Sequence, residues 1–311
     1  MSKRILYLKA GVILVVFGSL VLLLTGCKRG EPTPAALPQT STLPAPAAKS
    51  EQPPSPSPFQ PSPTPQPLAA QVGETGILLS DYQAELARFA QAKGSDLQSE
   101  DEKQVLEDMI DQALLAQAAA EGGFQVGESD VQARLEQLAD KAGSQAALEE
   151  WMAQNGYTAE SFRRNLARSM AAAWMRDQIL ADMPDTAEQV HALQILARTQ
   201  EAAQDALGRL QNGARFEDLA AEYDPVTHGE LGWFPRGYLP YPQIEEAAFS
   251  LQIDGISPVI ETPTGFHILK VVEREENRPL APDALLALQA KALQDWLDQA
   301  RERTQVEIFV P

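Results

Sequence analysis

Residues 229–270 read GELGWFPRGYLPYPQIEEAAFSLQIDGISPVIETPTGFHILK, and their order decides the fold. A Gly-rich turn leads into Trp233 and Phe234, and Pro235, Pro240 and Pro242 then break an apolar loop. Glu245 to Leu251 reads as a short helix, and Pro258–Ile260 and Phe266–Val272 as closing strands. Working upstream, Gln189 to Leu196 predicts a strand, Glu201 to Gln211 a helix and Phe216 to Glu222 a second short helix. Strands around helices at this spacing predict a small α+β sheet.

The sequence of G-x-L-G-W-F turn, Pro-broken loop, E-E-A-A-F-S-L helix and G-F-H-I-L strand resembles the second half of a parvulin-type (PpiC rotamase) domain. The resemblance implies a peptidyl-prolyl cis-trans isomerase, a catalyst that works without nucleophile, metal or cofactor. It places His267 on the floor of the site, with the hydroxyls of Thr262 and Thr264 beside it. Leu239, Ile244 and Phe249 fall where the family lines its proline pocket, joined by Trp233 and Phe234 of the turn. Ile244 reads equally as plain core of a small domain.

Two positions depart from the family. Many parvulins begin with a strand reading roughly A-S-H-I-L; here Leu193-Gln194-Ile195-Leu196 puts Gln194 in place of that histidine. Glutamine donates and accepts hydrogen bonds but lacks the imidazole's adjustable proton. His191 is out of phase and does not replace it. The family's Y-S-D-D-P loop is shortened to Tyr223-Asp224-Pro225-Val226-Thr227-His228. Asp224 either polarises the site or caps the turn before Pro225.

Such a site has a defined task. An X-Pro bond favours trans by only ~0.5–1 kcal/mol yet flips over tens to hundreds of seconds. Amide resonance sets that barrier at ~18–20 kcal/mol. An apolar slot for the proline ring, a dry floor that favours the less polar twisted amide and donors for the turned carbonyl suffice.

Outside this segment, Val72 to about Met183 reads as a run of helices. Ser80-Asp81 and Ser129-Asp130 match capping boxes, Gly122-Gly123, Gly143 and Gly156 read as stops, and Thr158 as a cap. Val105, Met109, Ile110 and Leu114 recur at helical spacing, as do Phe162, Leu166, Met170, Trp174 and Ile179. The stretch VLEDMIDQALLAQAAAEGGFQVGESDVQARLEQLA resembles the N-terminal helical domain of SurA-like and PrsA-like foldases. The resemblance implies that the chain leaves this domain, makes the rotamase unit, and returns to finish it. Pro282 to Arg303 reads as the returning amphipathic helix. The tail Val306–Val310 is expected to pair with Ile77–Leu79. The expected organisation is 1–26 signal peptide, 27–70 linker, 71–184 helical domain, 186–277 rotamase domain and 281–311 closing helix and strand, an α+β fold overall.

The N-terminus reads as a secretory signal: Lys3, Arg4 and Lys9 precede an apolar run from Ala10 to Leu24. Leu24-Thr25-Gly26-Cys27 resembles the bacterial lipobox, which implies cleavage and lipidation at Cys27, the single cysteine of the chain. Thirteen of the 23 prolines fall in residues 31–68, a composition that favours an extended spacer over a packed core. A formal charge of −18, with no basic stripe, argues against nucleic-acid binding. Three scattered histidines make no metal cluster; no P-loop or dinucleotide fingerprint is present.

The expected protein is a foldase lipid-anchored outside the cytoplasm on a bacterial cell membrane. Its expected partners are unfolded exported polypeptides with X-Pro bonds. A holdase with a degenerate rotamase unit is the alternative; Gln194 and the clipped loop favour it. His267, Thr262 and Thr264 favour the enzyme. Oligomeric state is left open.

Overall fold

The computed structural model describes residues 66–310. The expected signal peptide, the expected lipidation at Cys27 and nearly all of the Pro-rich stretch lie outside the described residues. Residues 69–310 hold both predicted domains.

The helical part opens with β1 (Leu68–Val72) and β2 (Thr75–Leu78), followed by α1 (Leu79–Lys93), α2 (Ser99–Glu121), α3 (Glu128–Ala142), α4 (Gln145–Gln154) and α5 (Ala159–Ala181). The stripe of α2 is buried as its spacing requires: Val105, Met109, Ile110 and Leu114 pack with Ile77 and Tyr82. Each such side chain contributes roughly 1.5–3 kcal/mol of burial. Val131, Leu135, Leu138, Leu148, Met152 and Phe162 close a second cluster among α3, α4 and α5.

The helix ends differ in part from expectation. Thr158 caps α5, its hydroxyl accepting from the Ser161 amide at 3.0 Å. At α3 the capping position is Gly127, not Ser129; Asp130 reaches back to accept from the Gly127 amide at 2.8 Å. At α1 it is Leu78, with no side-chain cap, because the chain enters directly from β2. Ser80 therefore lies inside the first turn.

The second half holds β3 (Thr186–Ala197), α6 (Gln200–Gln211), α7 (Phe216–Tyr223), β4 (Glu230–Pro235), α8 (Pro242–Ser250), β5 (Ile260–Thr262) and β6 (Gly265–Pro279). The strands form an antiparallel sheet in the order β4-β3-β6-β5. One face carries Val190, Ala192, Leu269 and Val271 and is covered by α8 through Ile244, Ala248 and Phe249. The opposite face carries Ile195 and Ile268, covered by α6 and α7 through Ala206, Leu210, Phe216 and Leu219. Strand β6 runs beyond Val272 because its charged continuation pairs with the start of β3, as in Glu273 with His191 and Arg278 with Ala187. Strand β5 begins at Ile260, where the expected strand ends; upstream of it the Ser257 amide instead bonds the Leu269 carbonyl at 2.9 Å.

The chain then returns through α9 (Pro282–Arg303) and β7 (Val306–Ile308). Leu297 and Ala300 are buried, and the Arg301 guanidinium donates to Glu107 and Asp111 of α2. The expected pairing of the tail with Ile77–Leu79 is corrected: β7 pairs antiparallel with β1, Ala70 facing Ile308 and Val72 facing Val306. β1 stands between β2 and β7, so β2 cannot reach the tail. The α+β class and the insertion of the second domain between α5 and α9 are as the sequence implies. No described helix is long and apolar enough to cross a membrane.

Candidate active site

The central pair of strands brings the candidate residues together. In the β3–β6 register Gln194 faces Leu269 and Leu196 faces His267. Side chains two residues apart on a strand share a face, so Gln194 and His267 are diagonal neighbours, within reach of long side chains. His267 Nδ1 lies 3.0 Å from Gln194 Oε1. On the other side Nε2 lies 2.8 Å from Thr262 Oγ1 and 3.4 Å from Thr264 Oγ1. The β5–β6 hairpin supplies both hydroxyls, since Thr262 and Gly265 are paired across its two-residue turn.

These contacts assign the proton. A carboxamide oxygen only accepts, so Nδ1 carries the hydrogen and Nε2 accepts from the Thr262 hydroxyl. Thr262 Oγ1 in turn accepts from the Thr264 amide at 3.2 Å and lies 3.0 Å from the Thr264 hydroxyl. The network links Thr264, Thr262, His267 and Gln194, and the Thr262 hydroxyl also lies 3.2 Å from the Gly265 carbonyl oxygen. The imidazole is 5% exposed, and burial pushes its pKa below the usual histidine value, so the ring is neutral near pH 7.

The shortened loop is seated on the same strand. The Gln194 amide donates to the Gly229 carbonyl at 2.7 Å. Gly229 holds φ +74°, and a Cβ there would lie 2.1 Å from the Gln194 carbonyl oxygen, so only glycine lets the loop approach so closely. Asp224 is spent within that loop. Its carboxylate accepts from the amides of Val226 and Thr227 and from the Thr227 hydroxyl. The Thr227 hydroxyl, helped by those amides, holds its pKa below the usual range. Asp224 thus caps a turn and has no bond to the imidazole network.

The expected apolar lining divides. Leu239 is half-buried against the α8 cluster, beside Tyr241, whose ring centroid lies 6.5 Å from that of His267. Phe234, Ile244 and Phe249 are core, at 0%, 3% and 5% exposed. Phe249 meets Phe234 edge-on at 6.1 Å, and the Arg236 guanidinium covers its ring at 4.1 Å. Trp233 is corrected outright. It alternates with Phe234 and so points to the other face, stacked on His191 at 5.5 Å under the Arg278 guanidinium at 4.0 Å. Leu196, 37% exposed and the cross-strand partner of His267, escaped notice in the sequence. Its two-residue offset from Gln194 was the signal that could have found it. Cavities of about 470 and 640 Å³ lie in the helical domain around Gly73 and Gln117, and neither includes a member of the imidazole network.

Two family models match the chain. Residues 57–176 match the SurA-like N-terminal domain and residues 179–273 the PPIC-type PPIASE domain. A stretch of 130 residues is 37% identical to the foldase protein PrsA of Halalkalibacterium halodurans, covering 40% of this chain and 36% of that protein. PrsA of Geobacillus sp. (strain WCH70) is 27% identical over 67% of this chain and 76% of its own. The chaperone SurA of Dechloromonas aromatica is 34% identical over 40% of this chain and 33% of its own. The chain thus spans about a third of two of these relatives. A crystal structure of PrsA from Bacillus anthracis aligns at 21% identity and a TM-score of 0.44, covering 64% of this chain and 96% of that one. The chain carries a SurA-like N-terminal domain and a PPIC-type rotamase domain.

Proposed function

We propose that this protein is a peptidyl-prolyl cis-trans isomerase of the parvulin type that assists folding of exported polypeptides outside the cytoplasm. The observation that carries the reading is the continuous hydrogen-bonded chain from Thr264 through Thr262 and His267 to Gln194, on one face of the sheet. A neutral imidazole among apolar side chains offers the dry floor on which a twisted amide, having lost resonance and polarity, is favoured over the planar one. Tyr241 and Leu196 supply apolar surface next to it, and Leu239 lies two residues before Tyr241 on the same loop. The residues act by binding and orientation, and no bond to the substrate forms.

The test is catalysis of cis-to-trans conversion of an X-Pro tetrapeptide by the full chain. Acceleration that falls at least tenfold in His267→Ala supports the reading; a wild-type rate equal to the uncatalysed one rejects it. The second reading is a holdase, favoured by the glutamine in the imidazole's place and by the burial of Ile244 and Phe249. Suppression of aggregation of an unfolded client, undiminished in His267→Ala and without isomerisation, decides for it.

Anchoring through a lipid on Cys27 belongs to the same proposal. The motif before Cys27 and the Pro-rich spacer after it support it. Cys27→Ser is expected to move the protein from the membrane to the soluble fraction of an expressing cell.

A further inference from the structure

The loop that fronts the imidazole is held from outside the rotamase domain. Residues 236–241 join β4 to α8 and include both Leu239 and Tyr241. From within the domain they are pinned by Glu245, a buried carboxylate that accepts from the Gly237 amide at 2.7 Å and the Leu239 amide at 2.5 Å. Arg236 adds an ion pair with Glu188 of β3 at 4.0 Å and its cover of the Phe249 ring, and α9 adds further holds from outside the domain. The Tyr238 hydroxyl donates to Asp283 Oδ2 at 2.8 Å, in the first turn of that helix. Gly237 lies so close to α9 that a Cβ there would meet Lys291 Cδ at 3.1 Å and Leu288 Cδ2 at 3.2 Å. Its φ of +86° also belongs to glycine.

The other end of the same helix is fixed in the helical domain, where Arg301 bonds Glu107 and Asp111 and Leu297 packs on Leu115 and Ala172. Twenty-two residues make a rigid rod of about 33 Å. Its first turn touches the substrate loop and its last turn is part of another core.

We propose that Asp283 is a positioning residue for the isomerase site, acting through Tyr238 to hold the loop that carries Leu239 and Tyr241 against His267, so that the helical domain completes the site. This rests on the isomerase reading. A loop held at both edges is already in its binding shape, and releasing one edge adds an ordering cost that substrate must meet on binding. The loss therefore falls on KM more than on kcat.

The experiment compares full-chain wild type, Asp283→Ala and Asp283→Asn on one X-Pro tetrapeptide. Asparagine keeps an oxygen that accepts from Tyr238; alanine does not. The expected result is a KM raised about three- to tenfold in Asp283→Ala, with kcat within about twofold and the melting temperature unchanged, and near wild-type values in Asp283→Asn. Unaltered kinetics in Asp283→Ala overturn the proposal, as does an equal loss in both variants. If wild type itself shows no turnover, the isomerase reading has failed, and loop positioning is read instead from the dissociation constant of the same peptide. Weaker binding by Asp283→Ala alone then supports it, and equal binding by all three overturns it.

Discussion

Gln194 Oε1 and His267 Nδ1 lie 3.0 Å apart across the two central strands, a diagonal pair on one face of the sheet. With the carboxamide oxygen accepting, Nδ1 carries the hydrogen and Nε2 is left to accept from the Thr262 hydroxyl.

Removing the imidazole removes the floor. His267→Ala should lower kcat/KM for an X-Pro tetrapeptide at least tenfold, about 1.4 kcal/mol of lost transition-state stabilisation. Circular dichroism should report an intact fold. A loss below twofold would place the chemistry elsewhere.

Because burial lowers the His267 pKa, activity should be level from about pH 6.5 to 8 and fall only in more acidic solution, where an imidazolium no longer accepts from Thr262. Stability follows the same sign. The unfolded chain takes up the proton near the ordinary value while the folded ring resists it, so stability is lost as pH drops below about 6.5. Gln194→Glu places a carboxylate against Nδ1 and should move the acid limb of the activity profile upward by about 1–3 pH units. An unmoved limb in a pH–rate profile would break the link between the two residues.

In the helical domain, burial pushes the Asp108 carboxyl up to about 6, with Asp111, Glu85 and Glu107 adding to the effect and a hydrogen bond from Gln104 opposing it. The folded state holds a proton that the unfolded chain releases above its ordinary value, so stability contributed by this group is lost as pH rises from about 4 through 6. Asp108→Asn retains an oxygen for Gln104 and is expected to stabilise the chain by roughly 1–2 kcal/mol at pH 7.5 and by nothing at pH 3.5. Urea titrations at the two pH values check both.

Ending the chain at Arg303 strips β7 from β1 and uncovers the edge that carries Ala70 and Val72. Loss of a few ladder bonds and of packed Val306 should cost about 2–4 kcal/mol. A melting temperature lowered by about 5–15 °C is the expected scale. An unchanged value would mean that the strand adds nothing to the helical core.

Local pattern alone determined much of this protein. The buried stripe on α2, the Thr158 cap, the extent of α9 and the order of strands and helices around His267 all rest on neighbours a few residues apart. Their periodicity, caps and turn residues are visible in the chain itself. Thr262 and Thr264 lie within five residues of His267 on one hairpin, whereas Gln194, 73 residues away, came into view only through the resemblance to the parvulin strand that carries a histidine there.

Contacts across a sheet were decided only by the fold. Alternation tells that Trp233 and Phe234 oppose each other, but not which of them meets the core. That choice is made by where α8 lands, and the register shift between Ala192 and Leu193 changes the phase along the strand. The tail's true partner was hidden likewise, because β1 intervenes between β2 and β7 through contacts more than two hundred residues apart in sequence. Asp283 belongs to the same class. Nothing near it in the chain marks it, and only the return of α9 past Tyr238 brings a helix of one domain to the loop of another.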